Sequence, residues 1–304
     1  MLPDTPNDTA LAADTSGGTA DGAAPASTSA STLAEDAGKA TPKIIAISNQ
    51  KGGVGKTTTA INLATGLAAV GKRVCVIDLD PQGNASTGLG ISKELRVVTS
   101  YDVLVGEATP MAAMVATRIP GLMVIPASVD LSGAEIELVG AEKREYLLRE
   151  ALHDALPGFD YVLIDCPPGL GLLSLNALVA ATAVLVPLQC EFLALEGLSH
   201  LIQTLERIRK VLNPSLELLG VVLTMFDRRN ILSKSVAADV RAYFGDQVYE
   251  TVIPRNVRVS EAPSHGLPVL LYDRHCAGAR AYINLAREIL RRESRGASAR
   301  KGQG

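Results

Sequence analysis

The sequence has little of several residue types that mark common protein classes. It contains no tryptophan, and aromatic residues make up only 4% of it, so its core is expected to be aliphatic; the 47% hydrophobic content is ample for one. Its four cysteines form no CxxC pair. Isolated cysteines usually behave as small buried side chains in a reducing compartment. The first ten residues contain neither a basic residue nor an apolar segment, so no secretory signal is expected there.

The formal net charge of −3 gives no sign of nucleic-acid binding, but the charge is unevenly distributed. Residues 1–41 carry six acidic side chains, one basic side chain and almost no large apolar ones. Such a segment buries too little surface to order itself, which predicts a disordered acidic leader. Residues 293–304 are predicted to form a basic, flexible tail. The folded domain is therefore expected to span residues 42–292.

One stretch contains no charged residue at all, between Asp165 and Glu191, and is long enough to raise the possibility of a membrane span. Prolines and glycines at 167–171, together with Pro187, divide it into a loop, a helix and a strand. A parallel strand covered on both faces also gives a continuous apolar run. We therefore expect a buried unit and no stable membrane insertion.

Apolar runs alternate with amphipathic segments from Lys43 onward. Seven runs have the composition of strands: 44–48, 74–79, 122–126, 161–165, 183–188, 218–225 and 248–253. Five segments have the apolar period of helices: 58–70, 143–156, 195–212, 233–244 and 279–292. This alternation predicts an α/β fold, with one doubly wound and mostly parallel sheet flanked by helices.

Residues 51–58 read KGGVGKTT, which is typical of a phosphate-binding loop (P-loop). The pattern G-x-x-x-x-G-K-[ST] is filled at its end by Gly55, Lys56 and Thr57, but Gln50 replaces the first glycine and Lys51 is an additional lysine. A predicted strand precedes the loop and a helix follows it, which is the context of a P-loop NTPase. We expect Lys56 to reach the β- and γ-phosphates of a nucleotide and the Thr57 hydroxyl to bind Mg²⁺. The segment predicted to contact the nucleotide is Lys51, Gly52, Gly53, Val54, Gly55, Lys56, Thr57 and Thr58.

Three aspartates end two of the predicted strands. Asp165 ends YVLID at the carboxyl edge of the sheet, where a carboxylate associated with Mg²⁺ is needed. Asp78 and Asp80 end RVCVIDLD at the same edge. Hydrolysis of a phosphoanhydride needs an oriented water, and one of these two carboxylates could supply that orientation. Alternatively, an aspartate in such a place caps a turn.

Four segments together resemble the ParA/Soj family of chromosome- and plasmid-partitioning ATPases: NQKGGVGKTTTAINLA, DLDPQGNAS (78–86), LIDCPPGLG (163–171) and IPRNVRVSEAPSHG (253–266). The resemblance covers roughly residues 43–292 and implies magnesium-dependent hydrolysis of ATP to ADP within an ATP-sandwiched homodimer. It implies that Lys51 reaches the partner chain's phosphates and acts in catalysis with Lys56 and Asp80. Asp80 matches the family's water-positioning residue and Asp165 its magnesium-associated one. Pro254 and Asn256 match positions near the adenine.

The resemblance also implies partners and a cellular location. ATP-bound dimers of the family bind DNA without sequence preference, and a ParB-like centromere-binding protein stimulates their hydrolysis. Such a protein is cytoplasmic and associated with the nucleoid. The candidate DNA-binding residues are Arg228, Arg229, Lys234, Arg241, Arg255 and Arg258. An ordinary solvated surface, with acidic residues interspersed, is the alternative interpretation of this cluster.

A MinD-like membrane-associated ATPase is the alternative function. The last predicted helix has an apolar stripe, formed by Ile283, Leu285, Ile289 and Leu290, and it precedes a pair of arginines. Packing of this stripe in the core explains it equally well. A reductase resembling the nitrogenase iron protein would need a second cysteine beside Cys166 in a matching loop, and a small-molecule kinase would need an acceptor site. The sequence offers neither.

Overall fold

The computed structural model describes residues 41–301, with side chains to residue 296. The predicted leader therefore lies outside the described residues, except for Thr41. Among the described helices, none combines the length and apolarity that a membrane span requires.

Seven strands form one sheet in the order β3-β4-β2-β5-β1-β6-β7. All neighbouring pairs are parallel except β3 with β4. The strands are β1 (Lys43–Ile47), β2 (Val74–Asp78), β3 (Val115–Ala116), β4 (Leu122–Ile125), β5 (Tyr161–Asp165), β6 (Ala183–Gln189) and β7 (Glu217–Thr224).

Helices cover both faces of this sheet. They are α1 (Lys56–Ala69), α2 (Asn84–Gly88), α3 (Ser100–Leu104), α4 (Pro110–Ala113), α5 (Leu131–Glu137), α6 (Leu147–Leu152), α7 (Leu172–Ala180), α8 (Ala194–Val211), α9 (Ile231–Phe244), α10 (Val257–Glu261), α11 (Val269–Tyr272) and α12 (Ala277–Lys301). One buried cluster joins the sheet to α1, α11 and α12, and a second joins the other face to α3 and α5–α9. The predicted doubly wound α/β fold is confirmed. The apolar stretch after Asp165 is a loop, α7 and β6, as expected.

The prediction of a strand at 248–253 is wrong. Val248 and the adjoining Pro254 make isolated bridges with Val221 and Phe226, and no strand joins them. The backbone N–H groups of Glu250 and Thr251 donate to the Glu288 carboxylate on α12, both at 2.9 Å, instead of to a strand. Because these donors bond to a side chain, no continuous ladder can form beside β7.

Two helices differ in length from their predicted bounds. The helix predicted over 143–156 is confined to α6, since Lys143 and Asp154 have positive φ angles of 52° and 55° that interrupt a right-handed helix. Conversely, α12 continues past Arg292 to Lys301, so helix extends into the segment predicted to be a flexible tail. The two-residue antiparallel strand β3 was not predicted.

Candidate nucleotide site

The P-loop connects β1 to α1 at the carboxyl edge of the sheet. Gly53 and Gly55 have φ angles of 76° and 89°, a left-handed conformation that glycine adopts without a steric penalty. The amino-terminus of α1 begins at Lys56, directly after this turn. A loop and helix end of this kind present backbone N–H groups and a positive dipole end to an anion.

Two residues that the sequence analysis did not single out fix the loop against neighbouring strands. The Thr224 hydroxyl, at the end of β7, donates to the Val54 carbonyl at 2.8 Å. The Asn49 side-chain amide donates to the Pro187 carbonyl at 2.8 Å and its oxygen accepts from the Lys51 N–H at 3.0 Å. Asn49 is the first residue of the segment NQKGGVGKTTTAINLA, which was a usable signal. Thr224 lies too far along the chain for any local pattern to reveal it.

The two lysines of the loop have different environments. Lys56 is 6% exposed, and its Nζ donates to the Lys51 carbonyl at 3.0 Å. Burial lowers the pKa of Lys56, whereas the nearby Asp165, Cys166 and Asp80 raise it. The Lys51 side chain is 58% exposed, and its Nζ lies 2.7 Å from Glu191 Oε2 beyond the end of β6. Lys56 therefore belongs to the interior of the loop and Lys51 to its outer surface.

Asp165 is fully buried at the end of β5. Among the described residues, no group makes a hydrogen bond of ordinary geometry to either of its carboxylate oxygens. Burial raises the pKa of Asp165 well above its usual range, and Asp78 raises it further, while the Thr57 hydroxyl and the Lys56 ammonium act in the opposite direction. Unpartnered buried oxygens beside a hydroxyl and a P-loop fit Mg²⁺ and its bound waters, because this ion takes oxygen ligands and keeps several waters.

Asp78 is also fully buried but is surrounded by donors. Its Oδ2 accepts from the Ser86 N–H at 2.8 Å and from the Ser86 hydroxyl at 2.7 Å, and its Oδ1 accepts from the Asp80 N–H at 3.2 Å. Burial raises the pKa of Asp78 to about 6, although the bonds from Ser86 oppose this. Its position matches the turn-capping alternative of the sequence analysis.

Asp80 lies in the loop after β2, to which Asp78 is hydrogen-bonded, and is 8% exposed. Its Oδ1 accepts from the Gln82 N–H at 3.0 Å. The structure thus brings Asp80, Asp165, Lys56 and Thr57 to one edge of the sheet. No cluster of three or more metal-binding side chains occurs in the part of the chain that the structure describes.

The two residues predicted to lie near the adenine, Pro254 and Asn256, make different contacts. Pro254 lines a cavity of about 780 Å³ with Phe226, beyond the end of β7. Asn256 does not line this cavity; its side-chain oxygen accepts from the Arg258 N–H at 2.9 Å and caps α10. Met225 was not predicted, yet its methyl carbon would lie 3.8 Å from a Cβ built on Gly55. Met225 has a left-handed φ of 48°, directly after the last residue of β7.

The six candidate DNA-binding side chains are all exposed but do not form one cluster. Arg228, Arg229 and Arg255 line the cavity that contains Pro254, together with Arg280, which the sequence analysis missed because it lies at the start of α12. Arg241 lines a separate cavity of about 680 Å³ with Arg291 and Arg295.

The two remaining candidates line neither of these cavities. Lys234 is exposed on α9, and Arg258 is paired with Glu261 at 3.0 Å. Arg229 is 92% exposed and is paired with Asp227 at 3.2 Å. The basic surface is therefore concentrated between β7 and the start of α12.

The apolar stripe of the last helix is part of the core. Leu285 and Ile289 are fully buried, and Ile283 and Leu290 are partly buried. Leu285 and Ile289 belong to the cluster that joins α12 to α1 and the sheet, and Leu290 packs against it. Within the described residues, this stripe is not available to a membrane surface.

The fold and the loop define a P-loop NTPase, and comparison with known proteins narrows this class. A family model described as an AAA domain matches residues 42–218. The chromosome partitioning protein ParA of Caulobacter vibrioides is 64% identical over 253 residues, covering 83% of this chain and 95% of that protein. The sporulation initiation inhibitor protein Soj of Bacillus subtilis is 54% identical over 247 residues, covering 81% and 98%. The chain belongs to the ParA/Soj family of chromosome-partitioning ATPases.

A solved structure extends this comparison to bound cofactors. It is a cobyrinic acid a,c-diamide synthase from Mycobacterium smegmatis, with bound ADP and magnesium. The two chains are 39% identical with a TM-score of 0.73, and the match covers 84% of this chain and 96% of that one. The cofactors in that crystal agree with those predicted here from the sequence, ATP or ADP with Mg²⁺.

Proposed function

We propose that this chain is a magnesium-dependent ATPase whose ATP-bound dimer binds DNA without sequence preference and is stimulated by a ParB-like partner. The cycle would position or segregate DNA on the nucleoid. The observation that carries the proposal is the contrast between the lysines. Lys56 is buried inside the loop, whereas the ammonium of Lys51 lies outside it with its side chain 58% exposed. A second lysine placed outward is suited to contact the nucleotide of another chain.

Each residue at the sheet edge has a distinct task in this proposal. Lys56 neutralises the charge of the β- and γ-phosphates, and the Thr57 hydroxyl and Asp165 hold Mg²⁺, which further neutralises the phosphates when bound. Asp80 orients the attacking water. Lys51 leaves Glu191 and adds a cation to the partner chain's site, in the manner of an arginine finger. Hydrolysis then depends on dimerisation, because each site lacks this cation in a single chain.

DNA binding is assigned to the basic surface between β7 and the start of α12. Arg228, Arg229 and Arg255 reach solvent there, and Arg280 extends the surface. Exposed arginines of this kind contact phosphates and displace counterions, so affinity should fall steeply with salt and depend little on sequence.

The substitution Lys51→Ala tests the central claim. The loop interior is unchanged in this variant, so ATP should still bind, but ATP-dependent dimerisation in sedimentation velocity and partner-stimulated hydrolysis should both be lost. Lys72→Ala is a matched control, since Lys72 is also a part-exposed lysine in a surface ion pair, 3.5 Å from Asp160. If Lys51→Ala sediments and hydrolyses ATP like the parent, its role across a dimer is wrong.

DNA binding with ATP, with ADP and without nucleotide, at several salt concentrations, tests the remaining claim. Binding should require ATP, and Arg229→Ala should weaken it for every sequence and flatten its salt dependence. An unchanged binding curve would move the DNA surface elsewhere. ATP-dependent binding to liposomes instead of DNA would favour the MinD-like alternative.

A further inference from the structure

Helix α5 has apolar residues on two opposite faces. Leu131 and Ala134 are buried against the sheet. On the outward side, three exposed apolar residues, hereafter the α5 stripe, lie on or beside this helix: Val129 in the turn before it, Ile136 within it and Val139 in the 3-10 helix that follows it. Val129, Ile136 and Val139 are 73%, 78% and 64% exposed. Single exposed apolar residues are common, but three large ones so near to one another indicate an interaction surface.

The surroundings of the α5 stripe are acidic. Asp130, Glu135, Glu137 and Glu142 are all exposed beside it. No lysine or arginine occurs from residue 119 to residue 142. At the end of the stripe, Arg144 donates to the Val139 carbonyl and is paired with Glu145. A partner for this surface must therefore combine apolar side chains with basic ones.

Charge also argues against a second copy of this chain as the occupant. Two copies packed symmetrically through the α5 stripe would place these carboxylates against one another, and unpaired like charges at an interface oppose association. A basic partner instead gains attraction at the rim and apolar burial at the centre.

The α5 stripe lies next to the nucleotide site. A Cβ built on Gly171 would overlap the Glu135 carboxylate, so α5 contacts the loop that follows Asp165. In the loop between β4 and α5, the Ala127 N–H donates to the Ser86 hydroxyl at 3.0 Å, and that hydroxyl donates to Asp78. A displacement of α5 would therefore affect the ends of both β2 and β5, where Asp78 and Asp165 lie.

We propose that the α5 stripe is the docking surface for a basic, apolar peptide segment of a partner protein, and that docking acts on the loop after Asp165. The effect on hydrolysis rests on the proposed function; the binding itself does not. Four exposed carboxylates and three exposed large apolar side chains define the chemistry of the segment. Its arginines or lysines face the carboxylates while its apolar side chains cover Val129, Ile136 and Val139.

Binding can be tested on the full chain with a fluorescein-labelled helical peptide that has leucines on one face and arginines on the other. The double variant Ile136→Ser, Val139→Ser should weaken binding roughly tenfold or more in fluorescence anisotropy. Val211→Ser, an equally exposed valine on α8 (75%), should bind like the parent. A peptide with glutamates in place of arginines should not bind. Equal binding by the double variant and the parent would overturn the proposal.

Two further measurements separate the possible failures. In sedimentation velocity with ATP, the double variant should dimerise like the parent; loss of dimerisation would show that the stripe is a contact between copies and would overturn the proposal. With a ParB-like protein of the same organism, the double variant should keep its basal hydrolysis and lose stimulation. If the parent is not stimulated either, the proposed function fails, whereas the peptide result still decides the surface.

Discussion

Strands β2 and β5 are neighbours in the sheet and each ends in an aspartate, but the two carboxylates differ in their hydrogen bonds. Asp78 and Asp165 are paired in register, and both are fully buried. Asp78 accepts three hydrogen bonds from Ser86 and Asp80. Asp165 accepts none of ordinary geometry from the described residues. The two carboxylates are thus equally buried, but among the described residues only that of Asp78 has hydrogen-bond donors of ordinary geometry.

This difference in hydrogen bonding suits Asp78 to a structural role and Asp165 to ligand binding. A buried carboxylate without partners is costly, and native proteins retain such a group mainly where a ligand, ion or water completes it. Asp78 is completed by its own chain and orders the loop that carries Asp80. Asp165 is completed in the proposed function by Mg²⁺ and its waters. Substitutions at the two sites should therefore have opposite effects on stability and hydrolysis.

The largest expected effect follows from Asp165→Asn. Removing the charge should lower magnesium-dependent hydrolysis by about 10²–10³-fold, because the metal loses its anchoring carboxylate. Without nucleotide, the free energy of unfolding should not fall, since an amide is cheaper to bury than an unpartnered carboxylate. Steady-state hydrolysis and urea denaturation measure the two effects. A less stable variant with normal hydrolysis would reverse the assignment of the two aspartates.

Asp80→Ala should have the next largest effect, because Asp80 lies in the loop that Asp78 orders. Loss of the group that orients water should slow hydrolysis by about 10²-fold while ATP still binds. The ATP-bound dimer should then accumulate in sedimentation velocity. Gln82→Ala, two residues along the same loop, is the control and should turn over like the parent. Undiminished hydrolysis by Asp80→Ala would remove Asp80 from the mechanism.

The sequence predicted the fold well because buried parallel strands give continuous apolar runs, such as those ending at Asp78 and Asp165. It could not distinguish the two aspartates, since VID at 76–78 and LID at 163–165 are nearly the same pattern. The two aspartates differ because Ser86, eight residues after Asp78, donates two hydrogen bonds to its carboxylate. Local patterns indicate that a carboxylate ends a strand, but not which donors the tertiary structure brings to it.

The wrong and missing predictions also result from tertiary structure that local sequence patterns do not show. The apolar run at 248–253 was predicted to be a strand, but Glu288 on α12 takes two of its backbone donors. Arg280 joined the basic surface only because α12 begins beside β7. The α5 stripe was also not predicted, because a helix with apolar residues on both faces gives no periodic signal of which one is exposed.

The smallest effect on hydrolysis is expected for Asp78→Asn, less than about tenfold, but this variant should change how stability depends on pH. Because burial raises the pKa of Asp78 to about 6, the unfolded chain ionises this carboxyl near pH 4, before the folded chain does. Rising pH between these values should therefore lower the parent's free energy of unfolding by up to about 3 kcal/mol, and the loss should level off above pH 6. Asparagine does not titrate, so the stability advantage of the parent over the variant should shrink across this window. Urea denaturation of both chains, each also carrying Asp165→Asn to silence the neighbouring carboxyl, measures the difference; a difference independent of pH would show that Asp78 ionises normally and that its hydrogen bonds fully offset its burial.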